Sequence, residues 1–426
     1  MAGLPESPAS PTGRKRDLRI DWLRGLAMTC VIVDHSRLWS LLSWFTYERF
    51  WIVTAAEVFV VLSGVVLGTV YGDKLIRHGW RAVVRGLGRR ALTLYVAFLG
   101  VTVSLLLISL LGIDVSSLAG EAKSVSGLIR SLDPLTMDAA AWRDLALMRL
   151  GPWPFEIVGL YVWLVAAAAP CLLLLRLAGW RVILSASWLL YFWYRIDPHA
   201  LTTADFEKAF PILAWQLLFV HGIAIGYHRE SIRAFMNRAS RAVPVAVISA
   251  ATAFVVFALC NPWTEGPSVL QWSVVSPDRF TDLYFKYFTL TDLGIGRILN
   301  LAVALPVGYA LLTWCWRVAR PLGVVFVTLG QQSLAAFVLQ VYGVLLFDHM
   351  SWLQANNFWI NTLAQAFLVV GIAVLLEGAR RFRTVMNAGG GRGLAWPHRD
   401  PVYGVPSPLV HLLQPAEPAP MTPEHP

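Results

Sequence analysis

Ten apolar stretches, most of them about 20 residues long, follow one another along this chain, and about 20 helical residues are needed to cross a hydrocarbon core of ~30 Å. They lie near residues 19–38, 51–71, 91–112, 154–175, 182–196, 210–227, 242–260, 295–316, 322–347 and 358–377. The expected architecture is therefore all-α: a polytopic membrane bundle of about ten transmembrane helices. Composition agrees, because 57% of the 426 residues are hydrophobic and only 14% are charged, far more apolar than a soluble domain of this length. The fifth stretch is short and reads as tilted or partly re-entrant.

The placement of Lys and Arg sets the orientation. With the amino terminus inside, 23 of the 35 basic residues fall in inner segments and 11 in outer ones, which favours both termini in the cytoplasm. The net charge of +9 is then mostly juxtamembrane arginine. No basic face is interleaved with exposed aromatics in a polar domain, so the expected partner is the lipid bilayer and not nucleic acid. Cys30, Cys171, Cys260 and Cys315 sit in or at the ends of apolar stretches without metal-type spacing and read as packing thiols; no metal is expected. The first stretch carries Asp21 and Arg24 and lacks a small-residue cleavage site after it, so it reads as a retained helix. Residues 1–16 and 384–426 are expected to be disordered cytoplasmic ends around one transmembrane domain, 17–383. The outer loops at about 113–150, 197–209 and 261–294 hold most of the material for recognising a substrate.

Ionisable groups at bilayer depth are costly, usually face the bundle interior and mark a pathway or site. Arg24 and His35 share the first apolar stretch. Eleven positions at ~100° each make three turns plus about 20°, so both side chains leave one helical face roughly 16 Å apart. His35 lies in the outer part of its helix. Glu57, on the next helix running inward, falls about 9 Å below the outer surface at a similar depth. His35 and Glu57 are therefore expected to meet in one polar pocket. Asp34, Glu156, Asp348 and His349 lie toward the same side and are candidates for substrate contact, although a solvated carboxylate and ordinary loop residues describe the last three equally well. Asp21, three residues before Arg24, offers that arginine a plain ion pair.

On the inner side Arg81, Arg85, Arg89 and Arg90 stand at i, i+4, i+8 and i+9. Helical spacing lines the first three along one side, as a cradle for phosphates or as a topology determinant beside anionic lipid. Ser63-Gly64 permits close helix approach or backbone access to a ligand. Gln331 and Gln332, within Gly330-Gln331-Gln332-Ser333, put neutral hydrogen-bonding groups where a membrane helix ordinarily avoids them.

Several pieces in order resemble the OpgC family, membrane transferases that add succinyl groups to osmoregulated periplasmic glucans, and through it the wider acyltransferase 3 superfamily. They are RDLRIDWLRG ending at Gly25, the spacing from Arg24 to His35, AAEVFVVLSG ending at Gly64 with Tyr71-Gly72 beyond it, FEIVGLYVWL from Phe155, PILAWQLLF from Pro211, TDLGIGRILN from Thr291 and GQQSLAAF from Gly330. The likeness covers about residues 16–383. It implies a multi-pass enzyme of the bacterial inner membrane that takes succinyl-CoA from the cytoplasm and acylates a hydroxyl of a periplasmic glucan. Arg24 and His35 match the superfamily's essential arginine and histidine.

On this reading His35 is the general base, since imidazole titrates near working pH, and Glu57 orients it. Arg24 holds the donor, with Arg81, Arg85, Arg89 and Arg90 on its phosphates and Ser63, Gln331 and Gln332 along its arm. The rival class is a transporter or flippase for an anionic metabolite or glycolipid that uses the same charges as a relay. The absence of an internal repeat and of matched broken helices in two halves weighs against it. A non-catalytic scaffold is disfavoured, because the intramembrane Arg, His and Glu would then cost stability without function.

Overall fold

In a computed structural model of the chain, the described residues are 16–46, 48–118, 139–202, 204–264, 270–354 and 357–389. Helix makes up 81% of it and no strand occurs among the described residues, so the all-α expectation stands. The expected disordered ends lie outside the described residues, except that helix continues from 384 to Gly389.

Helix α1 (Leu18–His35) leads through a loop, 36–54, to α2 (Ala55–Leu110). A short α3 (Ala139–Ala146) and a 3-10 turn, Trp153–Phe155, precede α4 (Glu156–Leu177) and α5 (Gly179–Ile196). Next come the one-turn α6 (Phe206–Ala209), α7 (Ile212–Tyr227), the polar α8 (Arg229–Arg238) and α9 (Ala242–Leu259). The chain continues with α10 (Pro277–Tyr287), α11 (Ile295–Trp314), α12 (Trp316–Gln331), α13 (Ser333–Asp348), the short α14 (Ser351–Gln354) and α15 (Phe358–Gly389).

Five helices, α2, α4 with its leading turn, α9, α11 and α15, are long and apolar enough to cross a membrane, and α12 with α13 makes a sixth if that bent pair is one span. Helix α1 misses that standard because Arg19, Asp21, Arg24 and Asp34 all fall within its 18 residues. The connection between the second and third apolar stretches, 72–90, is helical: α2 comprises two limbs that meet at a kink at Gly79, whose φ of 73° and ψ of 176° suit a residue without a side chain. One expectation needs correction. The stretch at 322–347 is two helices, bent by 92° between Gln331 and Ser333.

Water does not drive helices together inside a bilayer, so close backbone approach has to come from small residues. Helix α1 lies along α12, and a Cβ on Gly25 would stand 1.7 Å from the Phe326 carbonyl oxygen, while one on Gly330 would stand 1.9 Å from that of Asp21. Helix α2 crosses α7 in the same manner through Gly64, Gly68, Gly222 and Gly226, which is the close approach expected of Ser63-Gly64. At its start α1 is capped by Asp17, whose carboxylate accepts from the Arg19 backbone N–H at 3.0 Å and from the Tyr309 hydroxyl at 2.5 Å. Burial works to raise the Asp17 carboxyl, but the hydrogen bonds from Arg19 and Tyr309 outweigh it and hold the group below the usual value.

Candidate active site

At the carboxyl-terminal end of α1, His35 meets Gln340 from α13, with His35 Nδ1 3.1 Å from Gln340 Oε1. The other end of that amide is fixed: Gln340 Nε2 donates to the Pro154 carbonyl at 3.1 Å. The amide can then offer His35 only its oxygen, so Nδ1 carries the proton and donates, and Nε2 keeps its lone pair. The 3-10 turn before α4 supplies both Pro154 and Trp153, whose indole meets the imidazole edge-on at 4.9 Å. Arg37 lies 4.4 Å over the other side of that indole. Gln340 is fully buried in α13 and was not among the expected site residues.

The chain leaving His35 is held just as firmly. Gln365 of α15 donates to the Val33 carbonyl, the Ser36 hydroxyl and the Leu38 carbonyl, and accepts from Ser40. Asp34, beside His35, meets the Thr46 hydroxyl of the same loop. The histidine is therefore positioned by three elements: its own helix, the Trp153–Phe155 turn and α13.

Glu57 does not contact His35, contrary to expectation. Its carboxylate receives Arg297 from α11 in two-pronged fashion, Nε to Oε1 at 2.8 Å and Nη2 to Oε2 at 2.9 Å. The third nitrogen of Arg297 donates to Glu48 Oε1 at 2.6 Å and to the Phe288 carbonyl at 3.0 Å. Glu57 is also the third residue of α2 and caps it, accepting from the Thr54 N–H at 2.6 Å. Helix start and ion pair together satisfy the carboxylate, which leaves it no bond to spend on an imidazole. Burial pushes the Glu48 carboxyl up, against the pull of Arg297 beside it.

Toward the amino-terminal end of α1, Arg24 is buried and donates to the Ser333 hydroxyl at 2.9 Å. The bend between α12 and α13 delivers Ser333, the first residue of α13, to that position. The guanidinium lies 5.2 Å from the centre of the Phe59 ring, which packs edge-on against Tyr161 and Phe337. Tyr161 in turn donates to Ser63 at 3.4 Å. The plain ion pair with Asp21 is present but long, at 4.0 Å, because Arg16 grips both Asp21 oxygens at 2.6 Å. Gln331 donates to Asp21 at 3.4 Å and accepts from Arg380 at 3.3 Å, and Gln332 donates to the Leu376 carbonyl at 3.2 Å. Both glutamines thus tie α12 to its neighbours.

Arg81, Arg85 and Arg89 do share the second limb of α2 and are exposed, while Arg90 is half-buried. Glu156 begins α4, half-buried, near Asp205 and Lys208. His349 follows α13 and is hydrogen-bonded to the Leu345 carbonyl at 2.9 Å, as a helix-end residue, with Asp348 preceding it as the last residue of that helix. All four cysteines are free thiols. Among the described residues no group of three or more His, Cys, Asp or Glu could hold a metal ion.

The apolar helices and this polar interior define an α-helical membrane protein with a histidine near one helix end that has one ring nitrogen available. A family model described as OpgC protein matches residues 16–384, and the chain belongs to that family. The match takes in every piece from Arg16 through most of α15, and membership points to a glucan-modifying membrane transferase. No curated protein and no solved structure matches the chain.

Proposed function

We propose that the protein transfers an acyl group, succinyl, from cytoplasmic succinyl-CoA to a hydroxyl of a periplasmic glucan. His35 Nε2 takes the proton of the glucan hydroxyl as its oxygen attacks the thioester carbonyl. The carbon–sulfur bond then breaks, and the departing thiolate takes that proton from the imidazolium, leaving an ester and free coenzyme A. The observation that carries this reading is the His35–Gln340–Pro154 chain, because it fixes the tautomer a general base requires. Gln340 takes the orienting role first expected of Glu57. Being neutral, it sets the ring without offering a counter-ion to the imidazolium.

Arg24 stands on the donor side, roughly three helical turns from His35. Its hydroxyl and aromatic surroundings suit the amide-bearing pantetheine arm, and the exposed Arg81, Arg85 and Arg89 suit coenzyme A phosphates. The reaction then spans the bilayer of the bacterial inner membrane, with both termini in the cytoplasm and His35 toward the periplasm. The donor-and-acceptor arrangement is that of the acyltransferase 3 superfamily.

One observation favours a carrier: the apolar stretch that forms α12 and α13 is broken at Gln332, as transporter helices often are at a substrate site. The two readings separate in cells. Replacing His35→Ala in an otherwise intact strain is expected to remove anionic succinyl substituents from periplasmic glucans, read by anion-exchange chromatography. Fully anionic glucans beside normally expressed mutant protein would contradict the transferase.

A further inference from the structure

A second polar feature lies at the His35 end of the bundle, away from the imidazole. Where α9 stops, Asn261-Pro262-Trp263-Thr264 folds back on itself: Asn261 Oδ1 accepts the Trp263 N–H at 3.0 Å, and the Thr264 hydroxyl donates to the Asn261 carbonyl at 3.0 Å. That turn presents the Trp263 indole, 49% exposed, with one side braced by Phe280, Tyr284 and Phe285 at centroid distances of 5.5, 4.9 and 5.8 Å. Beneath it Glu48, Asn261, Thr264, Tyr284 and Phe285 join Trp263 around an open cleft of about 280 Å³, near the lower end of the range for small-molecule sites, ~300 Å³.

Glu48 sits at the floor of this cleft and is itself buried. Its backbone adopts φ of 59°, a left-handed conformation that a non-glycine residue takes at some cost. Arg297 and Tyr284 both bond its Oε1, while Oε2 takes no hydrogen bond from the described residues. Arg297 and the start of α2 between them offset the charges of Glu48 and Glu57. The cleft therefore offers a fixed acceptor oxygen without the strong field that would draw a cation, and none of its lining residues is basic, so a phosphate or carboxylate ligand finds no counter-charge there. An amphipathic ring face, a carboxylate oxygen and a hydroxyl side by side match a sugar, whose C–H face is apolar and whose rim is hydroxylated.

We propose that this cleft is an acceptor subsite that holds one neutral hexose unit of the glucan, C–H face on Trp263 and hydroxyl on Glu48 Oε2, while a hydroxyl elsewhere on the chain reaches His35. The subsite rests on the glucan acceptor proposed above and names the residues that bind it. The loop that leaves His35 also carries Glu48, so catalytic base and subsite are joined by 13 residues of one segment.

The test uses the full chain in detergent with neutral glucan oligosaccharides, in two readings. In turnover, Trp263→Ala and Phe285→Ala are expected to raise KM for glucan about tenfold, leaving kcat within about twofold and KM for the donor unchanged. Trp359→Ala, a still more exposed tryptophan outside the cleft, serves as control and should change neither. In binding, followed calorimetrically, His35→Ala should retain glucan affinity and its combination with Trp263→Ala should lose about tenfold. Unchanged KM in both cleft variants, or an equal rise in Trp359→Ala, overturns the subsite while leaving the transferase standing. Failure of the wild-type chain to bind or acylate any neutral glucan overturns both.

Discussion

Two polar clusters occupy the same end of the bundle and are built on opposite principles. Around Arg297 the partners are ionic and complete: two carboxylates and a backbone carbonyl account for its donors, and it is fully buried. Around His35 the partner is a neutral amide on one nitrogen only. An arginine committed to these partners holds α2, α11 and the 36–54 loop together and does no chemistry of its own. A neutral contact on one side of an imidazole orients it and leaves its reactive edge open. The same contrast explains why Glu57 looked catalytic in the sequence and is structural in the fold.

The comparison makes separable predictions. Arg297→Ala leaves two buried carboxylates uncompensated and should cost about 3–5 kcal/mol, seen as a large fall in melting temperature or loss of folded protein in detergent. His35→Ala should cost about 1 kcal/mol, because it removes one hydrogen bond and leaves the buried Gln340 Oε1 without its partner, clearly less than Arg297→Ala. Equal destabilisation by both would break the distinction. Gln340→Ala frees the imidazole to flip or to change tautomer, and a drop in kcat of about tenfold to a hundredfold with little change in KM is expected. Partial recovery in Gln340→Glu, with an altered pH profile from the added carboxylate, would sharpen the case that residue 340 acts through His35. A smaller effect concerns the start of α1. Because the Asp17 carboxyl is held below its ordinary value when folded, its stabilising contribution is full above the unfolded pKa and fades as pH falls through the folded one. Asp17→Asn should therefore lower the melting temperature most at neutral pH, where that contribution is full, and converge with the wild type at acid pH, flattening the acid side of the profile.

Much of this was legible in the sequence, and the gaps have physical causes. Stretches of length and apolarity located the long helices, and the rule that a charge at bilayer depth needs a reason located Arg24. The same rule applied to Arg297, three residues into the eighth stretch, but so near the boundary it was counted with the outer-loop charges. Gln340 carried a usable signal too, a lone amide in an apolar run, yet its partner is 305 residues away and only the packing of α13 against α1 brings them together. The pairing of His35 with Glu57 failed because depth along two helices says nothing about rotation around them. The helical spacing of Arg81, Arg85 and Arg89 was legible, whereas the kink at Gly79 rests on one glycine among several and had no sequence signal of its own. The bend at Gln332 has no proline or glycine at the break to announce it.

The proposed chemistry rests on the available nitrogen of His35, and purified protein in detergent tests it without any gradient or second component. Coenzyme A release from succinyl-CoA should depend on added glucan in the wild type, and His35→Ala should slow it by about a hundredfold or more while remaining folded. Glucan-dependent release at the wild-type rate from a folded His35→Ala protein would contradict the assignment of His35 as the base.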